Sequence, residues 1–109
     1  MRWGKQPNED AIVEIGVDDE GRLYVCPQVE KFEHIYRTAM GLHWDPRNRR
    51  LHTTSPGDWT YRQWFEQILT AVSGEYGIRL TLSPKVKWTN VPDSIQADIM
   101  MASPRPQSR

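Results

Sequence analysis

Two short apolar runs separated by turn residues form the first recognisable pattern in the chain. Residues 12–17 and 23–25 are rich in Ile, Val, Leu and Tyr, and residues 18–21 between them are acidic and end in a glycine. A glycine at the end of such a turn can take the positive φ that a tight turn requires. Pro27 ends the second run. This pattern predicts a β-hairpin.

A second hairpin is predicted around residues 45–49, because apolar and polar residues alternate on both sides of this Asp-Pro-Arg-Asn-Arg turn. A slip of one residue would turn a strand inside out, so the apolar positions constrain the register. Placing Trp44 opposite Leu51 on one face sets His43 opposite His52 on the other face.

The most regular helical pattern covers residues 60–76. Thr60 is a suitable N-cap, and Gln63 three residues later completes a capping box. Gly77 can take the left-handed conformation that ends many helices. The apolar positions fall on one side of this helix and are Tyr61, Trp64, Phe65, Ile68, Leu69, Val72 and Tyr76.

The C-terminal third predicts one strand, a further extended piece and a short helix. Residues 78–82 alternate between apolar and polar positions, and Pro84 is expected to end that strand. Residues 86–88 favour a second extended piece. Ile95 and Ile99 are spaced by four residues after a helix-start sequence, which predicts a short final helix.

The predicted fold is α+β. It has a mainly antiparallel sheet of four to five strands, with the helix over residues 60–76 packed on one face and a short helix near the C-terminus. Residues 29–40 fit both helix and strand, and helix is preferred. One domain is expected over residues 10–102, between a flexible N-terminal segment (1–9) and a disordered tail (103–109).

The length, charge and hydropathy of the chain indicate which partners and which cellular compartment to expect. The 109 residues suit a single domain, and 14 basic residues balance 14 acidic ones. A protein that binds nucleic acid through phosphates usually carries a basic excess, so nucleic acid is not the expected partner. No apolar segment typical of a signal peptide, and none near the roughly 20 residues that span a bilayer, is visible. A cytoplasmic protein without a membrane contact is expected.

The single cysteine, Cys26, cannot form an internal disulfide and suits a reducing compartment. A cysteine could act as a nucleophile with a histidine as base. However, Cys26 lies at a predicted strand end, where a lone cysteine is more often a small buried apolar residue. We therefore expect no nucleophilic role.

The candidate catalytic residues are His43, His52 and Asp45. Opposed on neighbouring strands, the two histidines could relay a proton in a small hydrolase, and a register slipped by two residues would bring His52 near Asp45. Two ligands alone make a poor zinc site, which normally has three or four, and neither Asp45 nor Glu33 has a diagnostic spacing for a further ligand. No metal and no cofactor are therefore expected.

The aromatic and arginine residues predict a binding surface instead of an active site. The chain is rich in tryptophan, with five, and Tyr, Trp and Arg dominate protein interfaces. We expect a protein-binding or self-associating module without catalysis, forming a homodimer. The residues assigned to this surface are Tyr36, Arg37, Trp44, Arg47, Arg50 and Trp88.

Several segments occur in an order that resembles a known group of proteins: Ile35-Tyr36-Arg37, His43-Trp44-Asp45, Pro56 with Trp59, Trp64-Phe65 with Ile68, Glu75-Tyr76-Gly77 and Trp88-Thr89-Asn90-Val91-Pro92. Over roughly residues 12–100 the chain resembles small uncharacterised bacterial proteins, some of them carried as integron gene cassettes. The resemblance implies a bacterial, mobile origin and brings no activity. It also raises a third alternative, an immunity-like or antitoxin-like inhibitor.

Overall fold

The computed structural model describes residues 8–54 and 59–102. The predicted flexible ends lie outside this part of the chain, except that residues 8 and 9 begin the first strand. Within the described residues the elements are β1 (Asn8–Val17), β2 (Leu23–Pro27), a 3-10 turn (Ile35–Arg37), β3 (Leu42–Asp45), β4 (Arg50–Thr53), α1 (Tyr61–Tyr76), β5 (Ile78–Thr89) and α2 (Asp93–Ala102).

The strands form one five-stranded sheet in the order β3-β4-β2-β1-β5. Three of the four pairings are antiparallel, and β1 pairs with β5 in parallel. The parallel pairing follows from the connection between β4 and β5, because a helix can carry the chain across a sheet to a strand of the same direction. The predicted α+β class with a mainly antiparallel sheet is confirmed.

Helix α1 begins at the predicted capping box. The Thr60 hydroxyl accepts a hydrogen bond from the Gln63 amide at 3.1 Å, and the Thr60 amide donates to the Gln63 side-chain oxygen at 2.8 Å. The helix ends at Gly77, which has a φ of 66°. Of the helices in the described residues, neither is long and apolar enough to cross a bilayer.

The core lies between α1 and one face of the sheet. Phe65 and Ile68 on α1 are 0% exposed, as are Ile15 and Val25, which face each other across β1 and β2. Ile99 of α2 belongs to the same buried cluster. The predicted apolar side of α1 therefore faces the strands, with Trp64, Phe65, Ile68, Ala71 and Val72 buried.

The helix preferred for residues 29–40 does not form, and only one 3-10 turn interrupts this irregular segment. Its apolar side chains do not share one buried side, since Phe32 and Ile35 are buried whereas Met40 is exposed. The Asp10 carboxylate accepts hydrogen bonds from the backbone amides of residues 29 and 30 at 3.1 and 2.8 Å. A hydrogen-bonding side chain of β1, about twenty positions earlier in the chain, thus holds the start of the segment.

Strand β5 continues through Pro84, contrary to the prediction that the strand ends there. Leu82 pairs with Ile12, whereas Lys87 pairs with Glu14, so residues 83–86 bulge out of the ladder. A proline lacks the amide that a ladder needs, but it is tolerated at a bulge on an edge strand. β5 is such an edge strand, which explains the difference.

Candidate functional site

One face of the sheet is covered by α1, against which α2 packs, and in the described part of the chain no element covers the other face, called the open face below. Its side chains alternate along the strands with those of the core. They include Glu14, Gly16, Tyr24, Cys26, His43, Asp45, Arg50, His52, Lys87 and Thr89.

The ring of Tyr24 lies flat across strand β1 at the centre of the open face. Its hydroxyl donates a hydrogen bond to a carboxylate oxygen of Glu14 at 2.7 Å. A Cβ atom added at Gly16 would lie 2.3 Å from the Tyr24 hydroxyl oxygen, closer than any real contact. Glycine is therefore required at position 16 because a side chain crosses it, not because of its φ.

Arg50 covers the outer side of the Tyr24 ring. Its guanidinium carbon lies 4.0 Å from the ring centre, and Tyr24 is only 4% exposed. Such a cation–π contact is worth about 0.5–1 kcal/mol at an exposed site and more when water is excluded. No carboxylate of the described residues lies within ion-pair distance of Arg50. Arg50 is thus half-buried against this ring and has no ion-pair partner among the described residues.

The Glu14 carboxylate connects three strands. One oxygen accepts hydrogen bonds from Tyr24 and from the Thr89 hydroxyl, the latter at 2.8 Å. Burial would raise the pKa of Glu14, but these bonds and the positive charges of Lys87 and Arg50 hold it below its ordinary value. Burial and the bond to Glu14 raise the pKa of Tyr24. Neither group therefore exchanges a proton near neutral pH.

The two candidate catalytic histidines adopt the predicted register, in which His43 opposes His52 and Trp44 opposes Leu51. Their ring centres lie 5.4 Å apart. The alternative register, slipped by two residues, does not occur. The Nδ1 atom of His52 lies 3.1 Å from its neighbour's carbonyl oxygen, that of Thr53.

Asp45 lies beside the histidines, but the turn occupies its carboxylate. One oxygen accepts hydrogen bonds from the amides of Arg47 and Asn48, and the other accepts one from the Asn48 side chain at 2.8 Å. The bond from the Asn48 side chain, assisted by the backbone bonds, lowers the pKa of Asp45. Within the part of the chain that the structure describes, the carboxylate stabilises the hairpin and makes no hydrogen bond to either histidine.

Cys26 lies on the open face, opposite Glu14. Burial, together with the negative charge of Glu14, raises the pKa of this half-buried thiol to about 11. The thiolate is the reactive form of cysteine, so Cys26 is held in its unreactive form at neutral pH.

We predict that iodoacetamide alkylates Cys26 slowly in the folded protein. The raised pKa reduces the thiolate fraction about a hundredfold, and the higher nucleophilicity of a more basic thiolate recovers only part of this loss. The net rate at pH 7.5 should fall at least about tenfold relative to the protein unfolded in urea. Mass spectrometry of timed samples measures both rates, and equal rates would contradict the buried, protonated thiol.

The residues that the sequence assigned to one binding surface lie in different places. Arg50 is on the open face, whereas Trp44 and Trp88 pack against the core on the covered face. Tyr36 and Arg37 lie on the exposed 3-10 turn, and Arg47 lies at a hairpin tip. The open face instead centres on residues that the sequence reasoning missed, above all Gly16 and Tyr24. A glycine inside an apolar strand was the available signal, since it often marks a close approach.

Comparisons with known proteins place the chain in a family. The family model described as integron cassette protein Hfx_Cass5 matches residues 10–86. A solved structure of the integron cassette protein Hfx_Cass5, from the mobile metagenome of North West Arm Sewage Outfall, is 37% identical to the chain; the match covers 91% of this chain and 96% of the other, with a TM-score of 0.43. No curated protein matches. The resemblance to integron cassette proteins is thus confirmed, and the chain belongs to the Hfx_Cass5 family.

Proposed function

We propose that this integron cassette protein is a non-catalytic binding module that associates with a second copy of itself through the open face. The observation that carries the proposal is the position of Arg50, which lies over the ring of Tyr24 where that ring crosses Gly16. Arginine is one of the residue types that dominate protein interfaces. The contact with the buried Tyr24 ring orders Arg50 before a partner arrives, which lowers the entropy lost on binding.

The charges of the open face favour a second copy as the partner. The face carries both signs, with Arg50 and Lys87 positive and Glu14 negative, and the chain as a whole is neutral. In a two-fold interface both copies use the same surface patch. A patch that carries positive and negative charges can therefore be complementary to itself. A partner surface with charges of one sign only would be attracted by part of the open face and repelled by the rest.

The size of the open face suits a weak, reversible dimer. Five strands about 4.8 Å apart and about seven residues long give a projected area of roughly 550 Å². Stable interfaces bury roughly 800 Å² on each partner, so this face lies at the low end of the range. A dissociation constant on the order of micromolar is expected.

The states of the ionisable groups support a role without catalysis. Glu14 is ionised and already accepts two hydrogen bonds, and Tyr24 is held in its protonated form. The Cys26 thiol has a raised pKa, and the Asp45 carboxylate serves the hairpin turn. The phenol and the thiol are thus kept in their protonated, weakly nucleophilic forms near neutral pH, and both carboxylates already accept hydrogen bonds within the fold.

Sedimentation velocity over a concentration series in EDTA tests the proposal. The wild type is expected to associate reversibly, and Arg50→Ala should weaken the association constant about tenfold or more because it removes a central arginine. Arg62→Ala is the matched control, since Arg62 lies on α1 and pairs with Glu66 at 3.3 Å. A wild-type protein that stays monomeric at millimolar concentration, or equal losses in the two variants, would contradict the proposal.

A further inference from the structure

We propose that His43 and His52 form one half of a zinc site, and that the same two histidines of a second copy complete it. This site rests on the self-association proposed above, because the two halves must meet across the open face. The ligand is a Zn²⁺ ion held by four imidazole nitrogens.

The separation of the two rings fits a single tetrahedral metal ion. With Zn–N bonds of about 2.1 Å and a tetrahedral N–Zn–N angle, two coordinated imidazoles have ring centres roughly 5.2 Å apart. The rings of His43 and His52 are 5.4 Å apart, with 30° between their planes. The strands therefore already hold the two ring centres at the required spacing.

The tautomer of His52 favours a metal ligand. Its Nδ1 atom lies 3.1 Å from the carbonyl oxygen of Thr53, and a carbonyl can only accept a hydrogen bond. Nδ1 therefore carries the proton, which leaves the lone pair of a neutral ring on Nε2. Histidines that bind metals usually donate their second N–H to a carbonyl or carboxylate in this way, which fixes the ring and its basicity.

One copy of the described chain offers no more than these two ligands. No group of three or more His, Cys, Asp or Glu side chains in the described residues is placed to hold a metal. The carboxylate of Asp45, two residues after His43 on β3, is used by the hairpin turn. Structural zinc normally has four protein ligands, and a two-fold axis beside the pair supplies a second, identical pair. His43 lies on the edge strand β3, where such an axis leaves room for the partner.

The site can be tested by adding ZnCl₂ at half the chain concentration to the EDTA-free protein. Sedimentation velocity should show the association constant rising at least tenfold, and isothermal titration calorimetry should give one Zn²⁺ for two chains. His43→Ala and His52→Ala should each abolish this increase. His34→Ala is the matched control, because His34 is an exposed histidine next to the 3-10 turn, and it should keep the full effect.

The two proposals fail in different ways. Association in EDTA that Zn²⁺ does not strengthen, one Zn²⁺ per chain, or a zinc effect that survives His52→Ala would each overturn the zinc site and leave the dimer intact. A monomer in EDTA would overturn metal-free association. If that monomer paired only with Zn²⁺ and only with both histidines, the zinc site would still be supported. Circular dichroism of each variant verifies that it is folded.

Discussion

Replacing Gly16 by alanine is expected to destabilise the protein by roughly 1–3 kcal/mol, the usual cost of forcing a methyl group into filled space. The new Cβ would lie 2.3 Å from the hydroxyl oxygen and 2.4 Å from a ring carbon of Tyr24. Tyr24 has to leave its place, so its hydrogen bond to Glu14 and its stacking with Arg50 are lost together. Urea unfolding measures the loss of stability.

Gly74→Ala is the matched control for this substitution. Gly74 lies in α1, and a Cβ atom added there would meet nothing within 4 Å beyond the backbone of its own helix. Alanine lowers the entropy of the unfolded chain and favours the helix, so this variant should gain about 0.4–1 kcal/mol. If both variants changed stability in the same direction, or if Gly16→Ala were neutral, the close approach of Tyr24 to β1 would be contradicted.

Replacing Phe65 by alanine is expected to cost about 3–5 kcal/mol, the largest effect of any single change considered for the core. Phe65 is 0% exposed between α1 and the sheet. Small domains are stable by only about 5–15 kcal/mol, so this variant should unfold at a much lower urea concentration.

Glu66→Ala changes the neighbouring residue on the exposed side of α1 and serves as the control. Its ion pair with Arg62 is exposed and should contribute less than about 1 kcal/mol. Phe65→Leu keeps most of the buried volume, so its loss of stability should lie between the losses of Phe65→Ala and Glu66→Ala. A loss below about 1 kcal/mol for Phe65→Ala would mean that α1 does not pack its aromatic side on the strands.

Local signals in the sequence predicted α1 and the second hairpin well. The capping box at Thr60 and the glycine at position 77 set the ends of the helix, and both act through hydrogen bonds within a few residues. The register of β3 and β4 followed from keeping Trp44 and Leu51 on one face. Elements whose ends depend on their own residues were therefore predictable.

Elements that depend on distant partners were not predictable in the same way. The position of β5 beside β1 is decided by the crossover of α1, and the tolerance of Pro84 follows from that edge position. Residues 29–40 are held at their start by Asp10, about twenty positions earlier in the chain. Hydrogen bonds over such separations leave no periodic pattern in the sequence.

The centre of the open face was missed because of a β-bulge in β1. Strict alternation after Ile12 would direct residue 14 into the core and residue 15 outward. The register shifts between Ile12 and Glu14, so Ile15 enters the core and Glu14 reaches Tyr24 on the open face. Apolar residues at positions 12 and 15, an odd spacing, were the sign of this bulge.

We propose that the protein associates through the open face and not through the outer side of α1. Relaxation of protein protons by a soluble gadolinium complex, followed by NMR at rising protein concentration in EDTA, tests it most directly. Arg50 and His52 should be strongly relaxed in dilute solution and become protected as the concentration rises, while Glu66 and Ser73 on α1 stay accessible. Unchanged relaxation at Arg50, with protection at Glu66 and Ser73, would contradict the claim.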